Sequence, residues 1–272
     1  MRYAIRKYDE TERRRLEALA ALLDPFTFDQ LNQIGIEPGW RCLEIGAGLG
    51  TVSQWLAEQL GEQGDVLCTD LQTDFIADID HPRIRVEMRD ITQPPPELEQ
   101  FDLAVARAVH HHIPDRDAAA RNLIGTVRPG GHILYVEPDF HPVFSDDHPV
   151  WKRLWQAFFQ WGERRDIDYY TGRRVPAQLA AIGMDIVSVR GETILFNGSE
   201  ASKAARDLYR MTFDAVLQPM LDQGFLSRSD SEEAYALLDN PEAWLMSLCF
   251  FATHARKPVA ADSGDAEQCG PG

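Results

Sequence analysis

The segment Leu43-Glu44-Ile45-Gly46-Ala47-Gly48-Leu49-Gly50-Thr51 sets three glycines between an apolar run and a helix-forming run. Arg41-Cys42-Leu43 reads as part of a short strand, and residues 52–60 read as a helix. A strand that breaks into glycines and then a helix brings bare backbone N–H groups and a positive helix end to one point. Such a point suits a nucleotide-like or carboxylate-bearing ligand, and it implies a layered fold in which strands feed helices.

The rest of the chain supports that layering as far as residue 137. Strand-like runs fall at 41–45, 66–69, 83–87, 102–106 and 132–137, with helix candidates at 51–60, 72–78 and 116–127 between them. This alternation predicts a doubly wound α/β fold with a mostly parallel sheet. Pro94-Pro95-Pro96 reads as a loop before the fourth strand, and Arg128-Pro129-Gly130-Gly131 as the turn into the fifth. Upstream, residues 10–23 carry a helical stripe of Leu16, Leu19, Ala20 and Leu23, and residues 26–36 read as a second helix. Together residues 1–36 are expected to form a helical N-terminal cap. Downstream come an aromatic helix near 148–166, a helix at 175–182 and a sixth strand at 186–190. Two further helices, 199–222 and 230–238, precede a last strand at 247–255. Residues 37–258 are thus read as the main domain, with inserts at about 140–175 and 198–245, and 259–272 as a disordered tail.

Composition narrows the partners. A formal net charge of -16 opposes binding to nucleic acid or to an anionic membrane surface. No apolar run approaches the ~20 residues that span a bilayer, and residues 1–15 lack the apolar core of a signal peptide, so a cytoplasmic location is expected. Cys42, Cys68, Cys249 and Cys269 have no metal-ligand spacing and read as free thiols.

Two ligands compete for the glycine loop. A dinucleotide site expects G-x-G-x-x-G, but here the last position of that pattern is Thr51 and the glycines run 46, 48, 50. Glu44, two residues ahead, would repel a pyrophosphate and attract an ammonium group. At this point the chain resembles the class I S-adenosylmethionine-dependent methyltransferases, whose first motif reads acid-x-Gly-x-Gly-x-Gly. Four further motifs follow in order: Asp70 in Cys68-Thr69-Asp70-Leu71, Asp90 in Arg89-Asp90-Ile91, the strand from Phe101 to Arg107 running on through His111-His112-Ile113-Pro114-Asp115, and the 128–131 turn with its strand.

The resemblance implies a seven-stranded sheet with an antiparallel last strand, and S-adenosylmethionine as cofactor. It assigns Glu44, Gly46, Ala47, Gly48, Gly50 and Thr51 to the methionine part, Asp70 and Leu71 to the ribose, and Asp90 and Ile91 to the adenine. Arg107 and the histidines would then sit near the sulfonium. A methyl transferase needs a base only where the acceptor must lose a proton. His111, His112 and Glu137 are the candidates; the alternative for the histidines is capping and packing in the loop, and for Glu137 a solvated or Arg-paired carboxylate. Three consecutive histidine side chains cannot converge on one ion, so no metal is expected. Asp102 starts its strand and reads as structural. Trp155, Phe159, Tyr169, Tyr170 and His141 are candidate substrate contacts under a lid, with ordinary core packing as the alternative. Tyr3 and Tyr8 could close over the donor.

The expected reaction is methylation of an O, N or C atom of a small, partly apolar metabolite, as in bacterial secondary metabolism, by a monomer or homodimer. One rival is a same-fold protein that binds the cofactor and catalyses a cyclisation or decarboxylation. A second is a NAD-dependent oxidoreductase. Nucleic-acid or protein methylation is opposed by the acidic charge and by the lack of an Asn/Asp-Pro-Pro-aromatic motif after the fourth strand.

Overall fold

The computed structural model describes residues 9–95 and 100–259. Tyr3, Tyr8, Pro96 and the tail from residue 260 lie outside those residues. Seven strands form one sheet: β1 (Arg41–Ile45), β2 (Asp65–Asp70), β3 (Ile84–Met88), β4 (Phe101–Arg107), β5 (Val127–Asp139), β6 (Asp185–Phe196) and β7 (Leu245–Arg256), in the order β3-β2-β1-β4-β5-β7-β6. All neighbours from β3 to β5 pair in parallel, and β7 runs antiparallel to both β5 and β6. The sheet grows from β1 in both directions, so the carboxyl ends of β1 and β4 lie side by side, with Ile45 opposite Ala106. That reversal point is where open α/β sheets bind ligands.

Helices cover both faces. On one side α1 (Glu10–Ile34), α2 (Thr51–Gln59), α4 (Pro149–Gly162), α6 (Lys203–Asp214), α7 (Leu217–Asp222) and α8 (Arg228–Asp239) bury the larger core around Trp151, Trp155 and Phe213. On the other, α3 (Arg116–Thr126) and α5 (Thr171–Ala181) bury a smaller core with Leu123, Ile133 and Leu179. Among the described residues no helix is long and apolar enough to cross a membrane. Cys42, Cys68 and Cys249 are buried free thiols.

Several elements differ from the sequence expectation, β6 among them, which runs on to Phe196 where a strand ending at residue 190 was expected. The two N-terminal helices are one continuous α1, capped by Asp9 (its carboxylate accepts from Thr11 and Glu12 N–H) and ended by Gly35 at φ +79°. Pro25 sits inside it. Leu23, Phe26 and Leu31 on both sides of the proline are buried in the same core, and this packing carries the helix through the lost backbone donor. Residues 72–78 form turns rather than a helix, with Ile76 fully buried beneath them. The span expected as one helix over 199–222 breaks at Ala215 and Val216 into α6 and α7. The 128–131 turn is absorbed into β5, where the β4 register shifts between Phe101 and Leu103 and Gly130 takes φ +79°.

Candidate functional site

One cavity opens at the carboxyl ends of the central strands. At one end it is bordered by residues 45–49 of the glycine loop, by Asp70, Leu71 and Gln72 after β2, and by Arg89, Asp90 and Ile91 after β3. The middle is walled by Arg107, Ala108, Val109, His111 and His112 after β4. The far end is aromatic: Phe140 after β5, Trp155, Phe158 and Trp161 of α4, Tyr209 of α6 and Phe250 of β7. The inner face of α1, with Glu12, Arg15, Leu16, Leu19 and Ala20, runs along it.

The glycine loop is shaped by close approach. Gly46 has φ +64°, and a Cβ there would lie 2.3 Å from Val109 Cγ2, so only glycine lets the loop after β1 touch the loop after β4. Gly48 N–H donates to Asp70 Oδ2 at 3.0 Å, and Gln72 N–H donates to Asp70 Oδ1 at 3.2 Å. Asp70 therefore borders the cavity with its carboxylate already aimed, and burial raises its pKa against these amide bonds. A carboxylate oxygen has lone pairs to spare after one such bond, which is what a pair of vicinal hydroxyls requires. Asp90 Oδ1 is taken up by Thr92 N–H and Oγ1 at 2.9 and 2.7 Å.

Three expected cofactor residues stand behind this wall, not on it: Glu44, Gly50 and Thr51 are not among the described residues that border the cavity. Glu44 is buried, and its Oε2 accepts from Ser53 N–H at 2.8 Å and Ser53 Oγ at 2.5 Å. Gly50, at φ +70°, is the N-cap of α2 and has no side chain to cap with. Glu44 supplies that cap from the neighbouring strand, where the expectation gave it an ammonium group. Burial pushes its carboxyl up to about 7, while the Ser53 bonds and Arg107 pull it down. Thr51 Oγ1 donates to Asp24 Oδ1 at 3.0 Å and accepts from Arg107 Nη2 at 3.1 Å. Arg107 also pairs directly with Asp24 of α1. Sequence reasoning missed Asp24, whose only signal is an acid placed beside Pro25 on an otherwise apolar stripe.

The histidine run forms a single 3-10 turn, His110–His112. Its free N–H groups converge on Glu137 at the end of β5. Oε1 accepts from Val109 and His110 N–H at 2.9 and 2.8 Å, and Oε2 accepts from His111 N–H at 3.2 Å. Oε2 also lies 3.0 Å from His111 Nδ1. Glu137 is fully buried and does not border the cavity, whereas His111 and His112 do. Burial raises the Glu137 carboxyl to about 7 and holds His111 down at about 3, helped by His110 and Arg116. His110 turns away to Gln178, 2.9 Å from its Nε2. At its other end β4 is held by Asp102, which accepts from Arg41 N–H at 2.7 Å and Arg128 Nε at 2.6 Å.

Of the expected substrate contacts only Trp155 borders the cavity. Phe159 stacks on Tyr169 at 3.9 Å, and Tyr169 donates its hydroxyl to Phe158 O at 3.3 Å. Tyr170 lies beneath the guanidinium groups of Arg173 and Arg174. His141 N–H donates to Asp139, which pairs with Arg173. The helical turn sets which of these residues face the cavity: Trp155 and Phe158 share the inward stripe of α4, and Phe159 lies one position past it. Phe158, Trp161 and Phe140 border the cavity instead, together with Leu208, Tyr209 and Thr212 of α6, which no local pattern ties to it.

Residues 43–133, the half of the sheet that carries the loop and the three acids, match the family model described as a methyltransferase domain. Over this segment the chain is similar to methyltransferases, and its sheet is the one expected from the resemblance to the class I S-adenosylmethionine-dependent methyltransferases. Methyltransferase str2 of Strobilurus tenacellus is 29% identical over 178 residues, covering 64% of this chain and 63% of that relative's length. A methyltransferase structure from Bacillus halodurans superposes with a TM-score of 0.57 at 17% identity, covering 85% of this chain and 98% of that one. The [4+2]-cyclase SpnF superposes with a TM-score of 0.50 at 17% identity, covering 83% of this chain and 77% of that one, a likeness of fold. The matched segment ends within β5, so the aromatic end of the cavity is built from residues beyond it.

Proposed function

We propose that this chain transfers a methyl group from S-adenosylmethionine to a small, uncharged, largely apolar molecule. The observation that carries this reading is the continuity of one cavity from the Asp70 carboxylate and glycine loop to the wall formed by Phe140, Trp155, Phe158, Trp161, Tyr209 and Phe250. When bound, the cofactor supplies an electrophilic methyl group on a positively charged sulfur. In this reading Asp70 accepts the ribose hydroxyls, Leu71 and Ile91 flank the base, and Asp90 lies at its polar edge. Arg107 is already neutralised by Asp24, so it adds little positive charge beside a sulfonium. The aromatic end excludes water and orients the acceptor, and such proximity supplies ~7–11 kcal/mol of a displacement barrier. Residues 10–34 and the inserts after β5 and β6 act as its cap and lid.

Calorimetric titration with S-adenosylhomocysteine and with NAD tests the reading. S-adenosylhomocysteine should bind and NAD should not, and Asp70→Ala should weaken the former by about 1–3 kcal/mol through the loss of a charged acceptor. Binding of NAD alone would overturn the proposal. Tight binding of S-adenosylhomocysteine with no methyl transfer to any apolar acceptor would favour a cyclase or decarboxylase on the same scaffold.

A further inference from the structure

We infer that the free edge of β6 is a self-association surface, on which a second copy of this chain pairs antiparallel about a two-fold axis at Gly191. The inference is independent of the methyl-transfer reading, because β6 borders none of the cavity.

β6 ends the sheet, so one side of a twelve-residue strand has no neighbouring strand among the described residues. Residues 189–193 are exposed without a break, and successive side chains alternate, so the strand is open on both faces of the sheet. Six large apolar side chains stand exposed among the described residues, and four of them belong to this edge. They are Val187 (54%), Val189 (42%), Leu195 (57%) and Trp244 (56%), the last preceding the Leu245 that pairs with Phe196. A long open edge with apolar side chains is a template for another strand. The β7 register shifts between Ile186 and Ser188 and again between Thr193 and Leu195, and the regular run between these shifts carries two charges, Arg190 and Glu192.

These residues select both the occupant and the register. A two-fold axis normal to the sheet keeps every residue on its own face, and opposed residues of an antiparallel pair share a face. Because faces alternate along a strand, the axis must pass through a residue and not between two. An axis at Arg190 would oppose two arginines, and one at Glu192 would oppose two glutamates. At Gly191 it opposes Arg190 to Glu192 twice, once on each side of the axis. The same axis opposes Val189 to Thr193 and exposed Val187 to exposed Leu195. Unlike charges and apolar side chains directly opposite one another stabilise a ladder, and like charges destabilise it.

The other edge of the sheet gives the contrast. β3 has five residues and also carries an arginine and a glutamate two apart. There Arg85 pairs with Glu87, and Glu87 with Arg89, so the charges are already spent within the chain. Among the described residues Arg190 and Glu192 have no ion-pair partner, which leaves both charges for a second copy.

Sedimentation equilibrium of the full chain tests this, at about 0.15 M salt to screen the mutual repulsion of two chains of net charge -16. The wild type should be a monomer–dimer mixture that moves to dimer as concentration rises. Arg190→Glu turns both cross-axis pairs into glutamate pairs, and Glu192→Arg turns both into arginine pairs. Each variant alone should dimerise about tenfold more weakly than the wild type. An equimolar mixture of the two variants regains unlike charges at both pairs and should dimerise as tightly as the wild type, which would also show that both variants are folded. A wild type that stays monomeric at its highest soluble concentration would overturn the inference. So would single variants that dimerise like the wild type, or a mixture that recovers nothing.

Discussion

Single residues at this site are legible by type but not by direction. Glu44 stood out in the sequence because an acid precedes the glycines, and the motif is real, yet its carboxylate caps α2 through Ser53. Spacing along a strand says which residues share a face, and the partner across the gap is decided by backbone geometry that one sequence does not encode. The cap makes a pH-dependent prediction. An unfolded glutamate titrates near 4.5, and burial raises Glu44 to about 7 in the folded chain. A raised carboxyl contributes stability that is complete below pH 4.5 and is lost as pH climbs through 7, up to about 3 kcal/mol. Glu44→Gln keeps an acceptor for Ser53 but cannot ionise. Its stability relative to wild type should therefore rise between pH 5 and pH 8, measured as the difference in urea midpoints. The buried histidines and Glu137 titrate alike in both proteins and cancel in the difference. A difference that stays flat over that range would mean that Glu44 does not change charge there.

At the scale of elements, the strands from β1 to β5 fall within a residue or two of the positions expected from alternation, apart from the longer β5, because buried parallel strands read as short apolar runs. The helices were harder. The N-terminal segment reads in sequence as two helices although α1 runs on through Pro25, and the turns at 72–78 carry an apolar pattern that resembles a helix, since Ile76 must bury itself whatever the backbone does. What holds α1 to the sheet was not visible at all: the Asp24–Arg107 pair, with Thr51 as a third member, ties the helix to β4 and to the start of α2. The Arg107 side chain is 9% exposed, so removing its partner leaves a charge with poor access to water. Asp24→Ala should lower stability by about 2–4 kcal/mol in urea unfolding, and Asp24→Ala combined with Arg107→Met should recover most of it, because a buried pair replaced whole is far cheaper than one left half. A single variant as stable as wild type would show that α1 is held by its apolar stripe alone.

Across the whole molecule the two ends of the cavity have different origins. The donor end is contiguous in sequence logic: residues 46–49, Asp70, Asp90 and Arg107 come from successive strand ends, so a topology that reverses at β1 brings them together. The aromatic end draws on α4, α6 and β7, which are separated by up to a hundred residues and packed by long-range contacts alone, and this is why Trp155 was legible while Tyr209 and Phe250 were not. α1 spans both ends, with Glu12, Arg15 and Leu16 on the cavity and Leu23 and Leu31 in the core beneath. A ligand at the donor end should therefore be felt along this helix. Hydrogen exchange in the presence of saturating S-adenosylhomocysteine should slow the amides of residues 46–50 and of the first three turns of α1, since closing the cavity removes the local openings that expose them. The β6 edge, which carries exposed Val187 and Val189 and borders none of the cavity, should exchange at its free rate. Protection confined to the glycine loop would mean that α1 does not respond to the donor, and the cap would then serve the acceptor end or the fold alone.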